Sequence, residues 1–236
     1  MLEKLDSRLR GNDDCARFLD VSYFFTMTLA TWFAYFIATL IICVSPGPGA
    51  LSSMSAGMKY GFAVGMWNLL GLQAAIAVNV LLIWLGLGAI LAASTTAFEI
   101  MKYAGALYLI YLGVQKFREQ PVPFAAIAAG TNFNDTSRWG LIKQGLLVNL
   151  TNPKGIVFLV AVLPQFIDAS LPIGKQYAIM GATMIVVDVL VMMAYTGLAS
   201  KVIRLLKDPE HIRWTNRGMG SLFVAAGGAL AVFKRG

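Results

Sequence analysis

Charge is what this chain has least of. Only 13% of its 236 residues are Asp, Glu, Lys or Arg, against roughly 25% in a soluble domain. With 58% apolar residues and a mean hydropathy of +0.68, that deficit excludes a large water-soluble domain and points to lipid as the solvent. Cysteine is nearly absent too. Cys15 and Cys43 cannot build a disulfide framework or a metal site, and Cys43, inside an apolar run, reads as packing. The single histidine, His211, lies in a charged stretch and reads as solvated rather than as a pH sensor. No metal-ligand cluster and no nucleophile–base pair is visible. A membrane enzyme is therefore the weakest reading, and neither a cofactor nor a metal is expected. The formal charge of +7 does not argue for nucleic acid, because the basic residues sit between apolar runs, where they set topology.

What is present is a series of apolar runs. A membrane-crossing helix needs roughly 20 mostly apolar residues. Runs at about 29–51, 63–92, 101–117, 141–166, 177–199 and 218–233 meet or approach that length. They predict an all-α polytopic membrane protein of about six transmembrane helices in a lipid bilayer. A polar connection follows at about 118–138 and a basic loop at 201–217. Residues 27–236 read as one transmembrane domain, with halves at about 27–117 and 139–236. Residues 1–26 differ. The opening MLEKLDSRLRGNDDCARFLD has no sustained apolar face and no signal-peptide pattern. It reads as an extension upstream of a start at Met27, or else as a cytoplasmic tail.

Lys and Arg counts orient the runs. Ten of these residues, from Lys59 through Lys116, Arg138 and Lys201 to Arg217, fall on the side of the first, third and fifth loops. Four (Lys102, Lys175, Lys234 and Arg235) fall on the other side once residues 1–26 are set aside. The positive-inside rule then places both termini outside the cytoplasm. Trp32, Tyr60, Trp139 and Trp214 lie near the run ends, as interface anchors should.

The two halves repeat. Lys102, Gly105, Leu107, Tyr108 and Gly113 each have a counterpart 115 residues on, at Arg217, Gly220, Leu222, Phe223 and Gly228. Asn79-Val80-Leu81 and Gly88 match Asp188-Val189-Leu190 and Gly197 at 109 residues, and Pro46 matches Pro153 at 107. Three spans per half is an odd number, so a duplicated unit inserts upside down. The pattern therefore predicts a 3+3 inverted repeat, an architecture of secondary transporters.

Both repeats carry a helix breaker. Ser45-Pro46-Gly47-Pro48-Gly49 interrupts the first run, and Asn149 with Asn152-Pro153-Lys154-Gly155 interrupts the fourth. Proline removes a donor and clashes one turn back. Inside a membrane, irregular backbone survives only where protein or a water-filled cavity covers it. These breaks are therefore the candidate substrate path. The resulting half-helix ends suit the charged groups of a small solute. Lys154 would cost about 3 kcal/mol at a helix centre, so it either functions or snorkels from a span end. Asp188 is the one acid well inside a span. It reads as a proton-coupling or ammonium-binding residue, with a static pair to Lys154 as the alternative. Asn79 holds the matching place in the other half, and Gln73 lies about two turns before it. Both read as supporting polar groups. Gly61, Gly65, Gly71, Gly105 and Gly113 read as packing positions.

With these residues in view, the chain from Met27 onward resembles the LysE/RhtB-type amino-acid exporters. The likeness rests on MTLATWFAYF, SPGPGAL, FEIMKYAGALYLIYLGVQ, NLTNPKGIVFL, LPQF, VVDVLVM and GSLF. Within that family it is similar to the homoserine/homoserine-lactone efflux branch. There the second proline position need not be proline, so Pro48 leaves the substrate open. The resemblance implies export of small amino acids or derivatives through the inner membrane, driven by protons. Pro46, Gly47, Pro48, Asn149, Asn152, Pro153 and Lys154 are the positions that match the family motif. A passive channel for small polar solutes is the competing expectation, and a homo-oligomer is an admissible assembly.

Overall fold

The computed structural model describes residues 27–93, 95–120, 133, 135–168, 170–199 and 209–232. The extension at 1–26 lies outside them, as does most of the 118–138 connection. Eight helices make up the described regular structure. They are α1 Leu29–Val44, α2 Pro48–Tyr60, α3 Phe62–Ala93, α4 Thr95–Arg118, α5 Arg138–Leu150, α6 Pro153–Val157, α7 Ile173–Gly197 and α8 Pro209–Val232. A π-turn at Phe158–Val162 and a 3₁₀ turn at Leu163–Phe166 continue α6. The all-helical, polytopic expectation holds.

Two straight stretches, Phe62–Gly86 in α3 and Ile173–Gly197 in α7, are long and apolar enough to cross a membrane. Two bent pairs qualify as single spans. α1 and α2 meet at 55°, and α5 meets the α6 segment at 52°. The first and fourth helices are thus the broken ones, as expected, and they bend almost equally. α4 and α8 have 24 residues each, about 36 Å at 1.5 Å per residue. They fall short of the same apolarity because Lys116, Arg118, Glu210, Arg213 and Arg217 load their ends.

Several limits differ from those expected. The first break does not end its span at Leu51. α2 continues to Tyr60 and stops at Gly61, whose φ of +79° suits glycine alone. Gly61 is therefore a helix stop and not a packing position. The basic loop is shorter than expected, because α8 begins at Pro209. Proline fits the first helical position and Glu210 suits the positive helix end. Charge made this turn resemble a loop, yet Ile212, Gly220 and Phe223 form its buried face.

Small residues set the helix packing. α3 and α5 run parallel and nearly touch, with Asn68 beside Leu141 and Leu72 beside Asn149. A Cβ on Gly71 would strike the Ile142 carbonyl, and one on Gly145 would strike the Asn68 carbonyl. α4 and α8 approach as closely but run antiparallel, through Gly113 with Gly220 and Ala106 with Gly227. α7 lies at the centre, against α1, α2 and α3. Exchanging the halves maps the α3–α5 contact onto α7–α1 and leaves the α3–α7 and α4–α8 contacts in place, which is the pairing an inverted repeat requires. Outward positions such as Leu82, Leu85, Val186 and Leu190 are exposed apolar groups on the straight spans, as lipid contact demands. Trp32 is not a free interface anchor, since its Nε1 donates to Thr183 Oγ1 at 3.1 Å.

Candidate functional site

In a helix, the carbonyl of residue i pairs with the N–H of residue i+4. Pro46 and Pro48 have no N–H, so they strip the donors from Ile42 and Val44. Those two carbonyls are the ones the second half of the chain supplies. Lys154 Nζ donates to Ile42 O at 2.8 Å and also to Ser45 O. The Tyr195 hydroxyl donates to Val44 O at 2.6 Å. Sequence reasoning missed Tyr195. Its one legible signal is that it lies two turns beyond Asp188 on the same face of α7.

The second break satisfies itself locally. Asn152 caps α6 by accepting from the Lys154 N–H at 3.2 Å. Its amide donates to Asn149 Oδ1 at 3.2 Å, and Asn149 Nδ2 donates to Leu72 O at 3.0 Å. Pro153 occupies the first helical position, where its missing donor costs little. Asn68, another residue unremarked in the sequence, is fully buried. It bridges Ser52 Oγ at 3.1 Å and Leu141 O at 3.3 Å, tying α2, α3 and α5 together behind the breaks.

One small cavity joins many of the expected residues. Ser45, Gly47, Gly49, Asn79, Asn149, Asn152, Lys154 and Asp188 line it, with Ile76, Met184 and Met192 among its apolar walls. Its volume of about 40 Å³ holds roughly three waters. Pro46, Pro48 and Pro153 lie on a neighbouring vestibule of about 430 Å³, which reaches Lys116 and Glu119 at the ends of α4. Gly47, Asn152 and Lys154 border both spaces and form the partition.

Asp188 is 8% exposed. Its Oδ2 accepts from Gln73 Nε2 at 2.7 Å, while Lys154 is committed to the carbonyls of α1. The static Asp188–Lys154 pair is therefore not formed. Among the described residues, neither group has an oppositely charged side chain within ion-pair distance. Two buried polar atoms near them lack partners, Ser45 Oγ and Gln73 Oε1. No group of three His, Cys, Asp or Glu side chains among the described residues could hold a metal.

Broken helices around a polar cavity are transporter architecture, and comparison with known proteins agrees. The model of the LysE type translocator family matches residues 40–233, which takes in both breaks and Asp188. The chain belongs to this family. The translocator is 41% identical over 205 residues to a homoserine/homoserine lactone efflux protein of Salmonella typhimurium, covering 87% of this chain and 98% of the relative. It is 37% identical over 208 residues to an uncharacterized membrane protein of Vibrio cholerae, covering 88% and 100%. It is 30% identical over 203 residues to a leucine efflux protein of Enterobacter, covering 85% and 94%. No solved structure matches it.

Proposed function

We propose that this translocator is a secondary exporter of a small amino acid or derivative, of the homoserine, homoserine lactone or threonine kind, across the bacterial cytoplasmic membrane. One observation carries the reading. A single small cavity is lined by a carboxylate, Asp188, and an ammonium, Lys154, that are not paired with each other. A buried charge without a charged partner, as at Asp188, costs several kcal/mol, and intramembrane charges mark solute or ion pathways. A cavity with one charge of each sign is complementary to a zwitterion. The names of the Salmonella and Enterobacter relatives point to the same substrate class.

Asp188 couples transport to protons, taking one up when the solute leaves. Alternating access rocks one half of the repeat on the other. The vestibule at Lys116 and Glu119 is then the cytoplasmic entrance, since positive residues gather on that side. Both termini lie outside the cytoplasm. A cavity sized for about three waters supports gated binding over an open channel. The test is uptake of homoserine, threonine and leucine into inverted vesicles under an imposed proton gradient. Asp188→Asn is expected to abolish gradient-driven uptake while leaving the amount of membrane-inserted protein unchanged. Full gradient-driven uptake by that variant refutes the coupling role.

A further inference from the structure

We infer that Lys154, Ser45 and the first turn of α2 form a subsite for the carboxylate of the substrate, so that the transporter selects free amino acids over their lactones and amides. The inference rests on the amino-acid export reading and assigns an end of the solute to each wall of the cavity.

The cavity is offered donors and acceptors by different elements. On one wall lies the N-terminus of α2, a helix of 13 residues. Its cap residue is Gly47, which has no side chain to offer, and Pro48 follows at the first position. The N–H groups of Gly49 and Ala50 therefore begin the helix without a side-chain cap, and both residues line the cavity. Beside them is Ser45, 1% exposed, with a hydroxyl that has no partner. Lys154 completes the wall. Its ammonium has three protons, of which two serve Ile42 O and Ser45 O. It lies over the start of α2, 3.4 Å from where a Cβ on Gly47 would be. The negative end of α1 compensates this cation on one side. On the other side it faces the positive end of α2, an arrangement that an anion relieves.

The acceptors come from α7 and α3. Asp188 brings a carboxylate, and Gln73 Oε1 is buried without a partner beside it. An ammonium fits there and a carboxylate does not. Sequence order thus becomes chemical order, with the first proline break holding the acid end and α7 holding the amine end. A lactone or amide keeps the ammonium but brings no anion to the α2 wall.

The experiment compares purified protein in liposomes against matched pairs: homoserine with homoserine lactone, threonine with threonine amide, and leucine with leucine amide. The wild type is expected to favour the free acid of each pair. Lys154→Met is expected to raise KM for free acids tenfold or more, on the order of one charge-assisted hydrogen bond. The KM of the neutral-ended partners should stay within about threefold, as expected where no such bond is lost. Lys154→Arg should restore part of the preference. Ser45→Ala should raise KM several-fold for free acids alone, and it decides the matter if Lys154→Met does not insert. An unchanged acid preference in these variants overturns the subsite. So does an equal loss for both members of each pair, which would make Lys154 a structural tie only. Wild-type protein that carries no member of any pair refutes amino-acid export itself, a separate outcome.

Discussion

Replacing Tyr195 by Phe removes one oxygen and leaves the ring in place. That oxygen is the donor to Val44 O at 2.6 Å, the carbonyl that Pro48 deprives of its helical partner. A buried carbonyl left without a donor costs about 1–3 kcal/mol. Side-chain hydrogen bonds between membrane helices are worth less, averaging about 0.6 and reaching about 1.7 kcal/mol. The second scale applies here, and a stripped carbonyl belongs in its upper half, so the expected loss is about 1 kcal/mol. For a chain of this size that lowers Tm by about 2–4 °C. The measurement is thermal melting in detergent, followed by the monodisperse peak on size exclusion. Pro48→Ala supplies the control, since it restores an N–H four residues after Val44. With Pro48→Ala in place, Tyr195→Phe should cost less than half as much, a coupling that the double-mutant cycle reads directly. The reasoning is wrong if Tyr195→Phe melts with the wild type, or if its cost is the same with and without Pro48→Ala.

Three further substitutions probe the scaffold. Gly71→Val places a side chain against the Ile142 carbonyl, and Gly145→Val does the same at Asn68. Overpacking of this kind costs about 1–3 kcal/mol, and each variant should show a lower Tm and reduced transport in liposomes. Gly61→Ala meets nothing within 4 Å, so any loss there is backbone alone. Its φ of +79° with ψ of 169° is a glycine-only region worth about 1–3 kcal/mol, and a melting curve equal to wild type would contradict that assignment.

The apolar spans were legible because lipid imposes a single rule on long runs, and α3 and α7 obey it over their full length. Pro46, Pro48 and Pro153 announced the breaks, since proline acts on its own helix and needs no knowledge of neighbours. The repeat spacing brought Asp188 and Asn79 to matching places, and the structure puts both on the same cavity. What the sequence hid was partnership across the halves. Nothing near residue 44 says that a tyrosine 151 positions away serves its carbonyl, and nothing near Lys154 says that it reaches α1 instead of Asp188. Asn68 was hidden for the same reason, as a polar residue in an apolar run whose two side-chain partners lie on two other helices. The start of α8 was hidden differently, because charge on an exposed helix face reads like charge in a loop.

The donors that complete the first span also carry a consequence in time. Ile42 waits for a lysine 112 residues downstream and Val44 for a tyrosine 151 residues downstream. At a synthesis rate of about 5–20 residues per second, the second donor leaves the ribosome roughly 8–30 s after its acceptor. The first span cannot close its own backbone bonds during that interval. Its kink must be kept wet, or held by the insertion machinery, until the fifth span arrives. Insertion of this transporter is therefore finished from its far half backward, and a chain truncated before Tyr195 should be cleared from the membrane even though four of its spans are already made.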